Sequence, residues 1–276
     1  MKHKKIASMA ALIVASLSAA HAQTITGWTF DNDGIGANAS PAPSTGIGTA
    51  TALGMSNSYP GPAGPTNAVS NPDILSSSGS STPSLPDAWR VRGNGTAPNS
   101  ANGWNSAAPI GTQGAEFSAS TVGFDSITVS FDINTTAQAE RNLAVLYTLD
   151  DTVGSPVWQI ATITSAGGLG GSIQTGSGVN TIGGNYVQLS SAAGWNNGIS
   201  ASISGAGNDA NFAIEIVNAS TSTDNVNISG GAYNNSSGNW RYDNVDISGT
   251  PVPEPTTLAL AGLGGLAALV AVRRRN

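Results

Sequence analysis

Four apolar residues spaced by two, Ile127, Val129, Phe131 and Ile133, alternate with Thr128, Ser130 and Asp132. A period of two buries one face of an extended chain and leaves the other wet, so this stretch reads as a half-buried β-strand. Leu143, Val145, Tyr147 and Leu149 repeat the pattern before the turn Asp150-Asp151. Phe212, Ile214 and Ile216 repeat it again among Ala213, Glu215 and Val217. Weaker strand patterns cover Thr24 to Phe30, Trp89 to Arg92, Ala115 to Ser118, Val157 to Ile163, Asn185 to Leu189, Ile199 to Ile203 and Trp240 to Ile247. No stretch between residues 23 and 249 carries a 3.6-residue apolar period. Short strands separated by Gly, Asn and Ser turns predict an all-β fold, an antiparallel β-sandwich of the jelly-roll kind.

Residues 39–86 are dominated by Ser, Pro, Gly, Thr and Ala. Such a stretch buries too little apolar surface to order itself, so it reads as long surface loops within the same domain, with one short strand near Thr49 to Met55. The first and last strands are expected side by side, which brings Asp31 near Asp243.

Both ends of the chain are of a different character. Lys2, His3, Lys4 and Lys5 precede the apolar run Ile6 to Leu17, and Ala20-His21-Ala22 precedes Gln23. Basic, apolar and small-x-small segments in that order make residues 1–22 a secretory signal peptide, cleaved between Ala22 and Gln23. At the other end, Pro251, Pro253 and Pro255 stiffen a short peptide around Glu254. Leu258 to Val272 follows without a charge, then Arg273-Arg274-Arg275. Fifteen helical residues reach about 23 Å, short of a bilayer core of about 30 Å unless flanking threonines and arginine stems extend them. The segment reads as one marginal transmembrane helix with its arginines on the cytoplasmic side.

Residues 250–276 resemble the PEP-CTERM sorting signal of Gram-negative bacteria: Pro-Glu-Pro, a membrane segment, then a basic cluster. An ordinary tail anchor with incidental prolines is the alternative. The resemblance implies that Pro253, Glu254 and Pro255 are recognised by a membrane-embedded processing enzyme, the exosortase, and that Arg273, Arg274 and Arg275 stop transfer. It also implies a setting in the cell envelope, an extracellular matrix or a biofilm, with membrane anchoring before processing.

Residues 23–249 contain no Lys, His or Cys; four arginines (Arg90, Arg92, Arg141, Arg241) face fifteen carboxylates, a net charge of −11. Nucleic acid and anionic membrane surfaces are poor partners for such a body. Without cysteine an exported domain must rely on its core alone. Without histidine, cysteine or lysine there is no Ser-His-Asp or Cys-His unit, no His-based zinc site and no Schiff-base lysine. A two-carboxylate glycoside hydrolase is the common enzyme class that survives, with Asp132, Glu140 and Glu215 as conceivable participants.

Oxygen-only ligands suit calcium. Regular alternation along the last strand places Asp243 on the same face as Val245 and Ile247, where a carboxylate requires a partner, a bulge or a metal. Tyr242-Asp243-Asn244-Val245-Asp246-Ile247 and Phe30-Asp31 resemble the last and first strands of calcium-stabilised jelly-roll carbohydrate-binding modules. That resemblance implies a structural calcium at Asp31 and Asp243. Flat rings that stack on sugars are the other feature of such modules. Of the tryptophans, Trp104 and Trp195 lie in Gly/Asn-rich stretches that read as loops, and are the candidates for an exposed platform. The leading expectation is an exported, non-enzymatic envelope or matrix protein with no cofactor. The alternatives are a carbohydrate-binding module for exopolysaccharide and a carboxylate-only glycoside hydrolase.

Overall fold

The computed structural model describes residues 21–31, 36–37, 40–54, 73–76, 87–92, 104–105, 108–231, 234–235 and 238–253, with five further positions in the tail. The signal peptide up to residue 20, Glu254, Pro255, Arg275 and most of the apolar tail lie outside the described residues. No helix among the described residues is long and apolar enough to cross a membrane.

The alternating stretch is β8 (Phe124–Thr135), and its Ile127, Val129, Phe131 and Ile133 are each at most 1% exposed. Before it come β1 (Gln23–Trp28), β2 (Gly36–Ala37), β3 (Gly48–Leu53), β4 (Asp73–Ser76), β5 (Asp87–Arg92), β6 (Trp104–Asn105) and β7 (Gly114–Ala119). After it come β9 (Asn142–Thr148), β10 (Gln159–Ile160), β11 (Thr162–Ala166), β12 (Ser172–Thr175), β13 (Asn185–Gln188), β14 (Gly194–Ser202), β15 (Phe212–Asn218), β16 (Asn234–Asn235) and β17 (Asn239–Pro251). One sheet runs β11-β14-β8-β17-β5-β4-β2, with β1 also on β17; the other runs β12-β13-β9-β15-β7-β3, with β10 added to β9. Every strand pairing is antiparallel. The central strands β5-β17-β8-β14 and β7-β15-β9-β13 are filled by a chain that passes repeatedly from one sheet to the other, which is jelly-roll connectivity.

β17 is the seam of the first sheet. One edge pairs with β8 from Trp240↔Thr135 to Pro251↔Phe124. Its other edge is divided, β5 taking Asn239 to Tyr242 and β1 taking Val245 to Gly249. The terminal strands are therefore neighbours, as their sequences predict. Between the sheets, Phe117 meets Trp28, Trp89 and Tyr242 edge-on at centroid distances of 5.1, 5.9 and 5.8 Å. Edge-to-face pairs add about 0.5–1.5 kcal/mol each beyond the area they bury. That packing stands in for disulfides the chain cannot form. The Tyr242 hydroxyl, fully buried, donates to the Ile216 carbonyl at 3.2 Å.

The second sheet is also covered on its far side. Ala144, Leu146, Ile182, Tyr186, Val217 and Ala219 form a smaller cluster there, joined by Leu53, Ile110 and Trp158. This is why β9 and β15 are buried at every position instead of every other one.

Two sequence expectations change in detail. The low-complexity stretch contributes β3 as an edge strand, with Ala50 and Ala52 inward, and also β4, which the sequence does not announce. The stretch Val157 to Ile163 is not one strand. β10 pairs with β9 in the second sheet, and β11 pairs with β14 in the first.

Candidate functional site

The open face of the first sheet is set by two bulges that flank one carboxylate. On β17, Asp243 pairs with Asp132 and Asp246 with Ser130, so one extra residue lies between them. On β14, Asn196 pairs with Ile133 and Ile199 with Phe131, again one residue in excess. Positive φ at Asn244 (49°) and Gly198 (73°) permits the two kinks. Asp132 holds both: Gly198 N–H donates to its Oδ1 at 2.7 Å, and Asn244 Nδ2 donates to its Oδ2 at 3.0 Å.

The bulge corrects the expected phase of the last strand. Trp240, Tyr242, Val245 and Ile247 all point into the core, while Asp243 stands with Asp132 on the opposite face. Asp243 is only 4% exposed, and burial pushes its carboxyl up to about 7 against the pull of the Asn244 N–H. Asp31, Asp132 and Asp87 push it further in the same direction. Asp31 is thus close enough to be felt by Asp243, as the neighbouring terminal strands require. Several of these oxygens accept hydrogen bonds from the protein. Asp31 Oδ1 accepts from Asp87 N–H at 3.2 Å, Asp243 Oδ1 accepts from Asn244 N–H at 2.8 Å, and both Asp132 oxygens are occupied. Among the described residues no three acidic, His or Cys side chains are grouped to hold a metal. The bulge places Asp243 on the outer face beside Asp132.

The three carboxylates with conceivable catalytic roles are not brought together. Asp132 ties the bulges. Glu140 is fully buried, with Oε1 accepting from Asn142 N–H at 2.7 Å and from Ser220 Oγ at 3.4 Å. Glu215 lies on the far side of the second sheet, directly opposite Glu116 on β7 and beside Leu146 on β9. Burial and then Asp151 push the Glu116 carboxyl up to about 7. Burial, then Glu116 and Asp151, push Glu215 up to about 8. The charges that act on this pair are other carboxylates. Sequence reasoning missed Glu116, because only the register of β7 against β15 reveals that the two face each other.

The two tryptophans divide. Trp104 is fully buried and meets Trp240 edge-on at 4.6 Å, so it is a core residue and not a surface platform. Trp195 lies not in a loop but on β14, opposite Asn134, on the open face of the first sheet.

The two junctions expected from the sequence flank the folded body closely. Gln23 is the first residue of β1, and His21, Ala22 and Gln23 are all exposed. At the other end β17 reaches Pro251, two residues past the expected domain boundary, and Val252 N–H donates to the Gly123 carbonyl at 2.8 Å. Pro253 follows at once, exposed; Arg273 and Arg274 are exposed as well.

No curated protein and no solved structure matches the chain. Residues 251–275 match the family described as the PEP-CTERM protein-sorting motif. The chain thus carries a PEP-CTERM sorting motif, which begins on the last residue of β17.

Proposed function

We propose that this protein is exported, anchored in the membrane by its C-terminal apolar segment, and then cut by an exosortase-type enzyme to leave a non-enzymatic β-sandwich at the outer surface or outside the cell. The observation that carries the reading is the sorting motif at residues 251–275. The N-terminal basic and apolar segments support export, and the exposed start of β1 at Gln23 suits cleavage after Ala22. The absence of Lys, His and Cys from residues 23–249 supports a binding or structural role over catalysis. Glycoside hydrolysis draws no support from Asp132, Glu140 and Glu215, which serve three separate places.

A second reading, binding of extracellular polysaccharide, is favoured by one observation: Trp195 lies on an open, polar sheet face. The sorting proposal is tested by replacing Pro253, Glu254 and Pro255 with alanine in the native host. Export should persist while an uncut, membrane-bound form accumulates. Equal release and equal mass for the altered and unaltered proteins would refute recognition through this motif.

A further inference from the structure

Among the described residues, the first sheet's outer face carries one aromatic ring in a field of polar groups. Each of the other described aromatic residues belongs to one of the two hydrophobic clusters or packs against one; Trp195 does neither. Trp195 is half-buried on the outward side of the sheet, and its exposed part calls for an account.

Its neighbours supply one. Trp195 on β14 is opposite Asn134 on β8, Asn134 is opposite Arg241 on β17, and Arg241 is opposite Arg90 on β5. Residues directly opposite across strands point to the same face, so these four form one row. Three strand spacings separate its ends, about 14 Å, the reach of a short oligosaccharide. Two of the body's four arginines stand side by side in this row, and Asp73 on β4 is opposite Arg90 on its other side. Asn239 Oδ1 accepts from Arg241 Nε at 3.2 Å and so fixes that guanidinium. An indole face, a carboxamide and oriented guanidinium groups are what a hexopyranose chain requires: a flat apolar surface for its axial C–H face and planar partners for paired hydroxyls.

We propose that the row Trp195, Asn134, Arg241 and Arg90 on the outer face of the first sheet binds a neutral polysaccharide. The inference rests on the polysaccharide reading above and deepens it by naming the site and the polymer class. Neutrality follows from charge: a body of net −11, with Asp132 and Asp243 in the adjoining row, repels polyuronates and sulfated chains.

The test uses the mature protein and two probes, amorphous cellulose as a neutral β-glucan and alginate as an anionic polymer. Retention on cellulose, weak retention on alginate, and a loss of roughly tenfold or more in cellulose affinity for Trp195→Ala are expected. Trp195→Phe keeps a ring and should retain part of the affinity, and both variants should melt with the unaltered protein. If the unaltered protein ignores both polymers, polysaccharide binding itself is overturned. If it binds cellulose and Trp195→Ala with Arg241→Gln bind equally well, the polymer reading stands and this site is wrong. Stronger retention on alginate would overturn the neutral class.

Discussion

Replacing Glu215 with glutamine should remove a pH-dependent weakness from the second sheet. Glu215 is 6% exposed and faces Glu116 across β15 and β7, and its carboxyl is pushed from an ordinary 4.5 up to about 8. A carboxyl whose pKa is raised on folding binds its proton more tightly in the folded state. Its contribution is therefore fully present below the unfolded value near 4.5 and is lost as pH climbs through that value towards the folded one. Each unit of offset corresponds to about 1.4 kcal/mol, and of the offset from 4.5 to about 8 roughly two and a half units fall between pH 5 and pH 8, which removes about 3–4 kcal/mol there. Asp243, raised to about 7, loses stability over part of the same window, but it does so in both proteins. Glu116, raised to about 7, likewise titrates in both, so the difference between unaltered protein and Glu215→Gln isolates Glu215. Urea unfolding at pH 5 and pH 8 is the assay. The variant should match the unaltered protein at pH 5 and exceed it at pH 8. Parallel stability curves across that range would refute the reasoning, because they would show that Glu215 is ionised without penalty in the fold.

The remaining predictions concern the core and the terminal strands. Trp104→Ala should cost about 3–5 kcal/mol, since it empties a fully buried site against Trp240; a near-neutral urea midpoint would place Trp104 at the surface after all. Tyr242→Phe should cost about 1 kcal/mol through the lost bond to the Ile216 carbonyl, read in the same assay. Thermal melts in chelator and in millimolar calcium should coincide if the hydrogen bonds to Asp31 Oδ1, Asp243 Oδ1 and both Asp132 oxygens suffice to hold these carboxylates. A calcium-induced rise abolished by Asp243→Asn would instead restore an ion between the terminal strands.

How much of this was legible in the sequence depends on whether a feature is local. The alternation at Ile127 to Ile133 is a property of seven consecutive residues, and it became β8 with the expected face inward. The order of export, fold and sorting segments is likewise written along the chain. The phase of Asp243 was not legible, because a single extra residue at Asn244 flips every later side chain to the other face. The Glu116–Glu215 pair depends on a register between segments about a hundred residues apart, which no local pattern encodes. Trp104 misled because Gly and Asn around it mark surface chain, whereas a two-residue pairing with β16 accompanies an indole turned into the core. β3 was foreshadowed only faintly, since its small side chains contribute little and its backbone pairing with β7 defines it.

The central claim is that both ends of this chain are addresses and the sandwich between them is what remains. Intact-mass analysis of the protein recovered from the host envelope and medium tests it most directly. The account predicts an N-terminus at Gln23 and a C-terminus at or near the Pro253-Glu254-Pro255 motif, with Arg273 to Arg275 absent from the released form. A released protein that still carried its C-terminal arginines would contradict it.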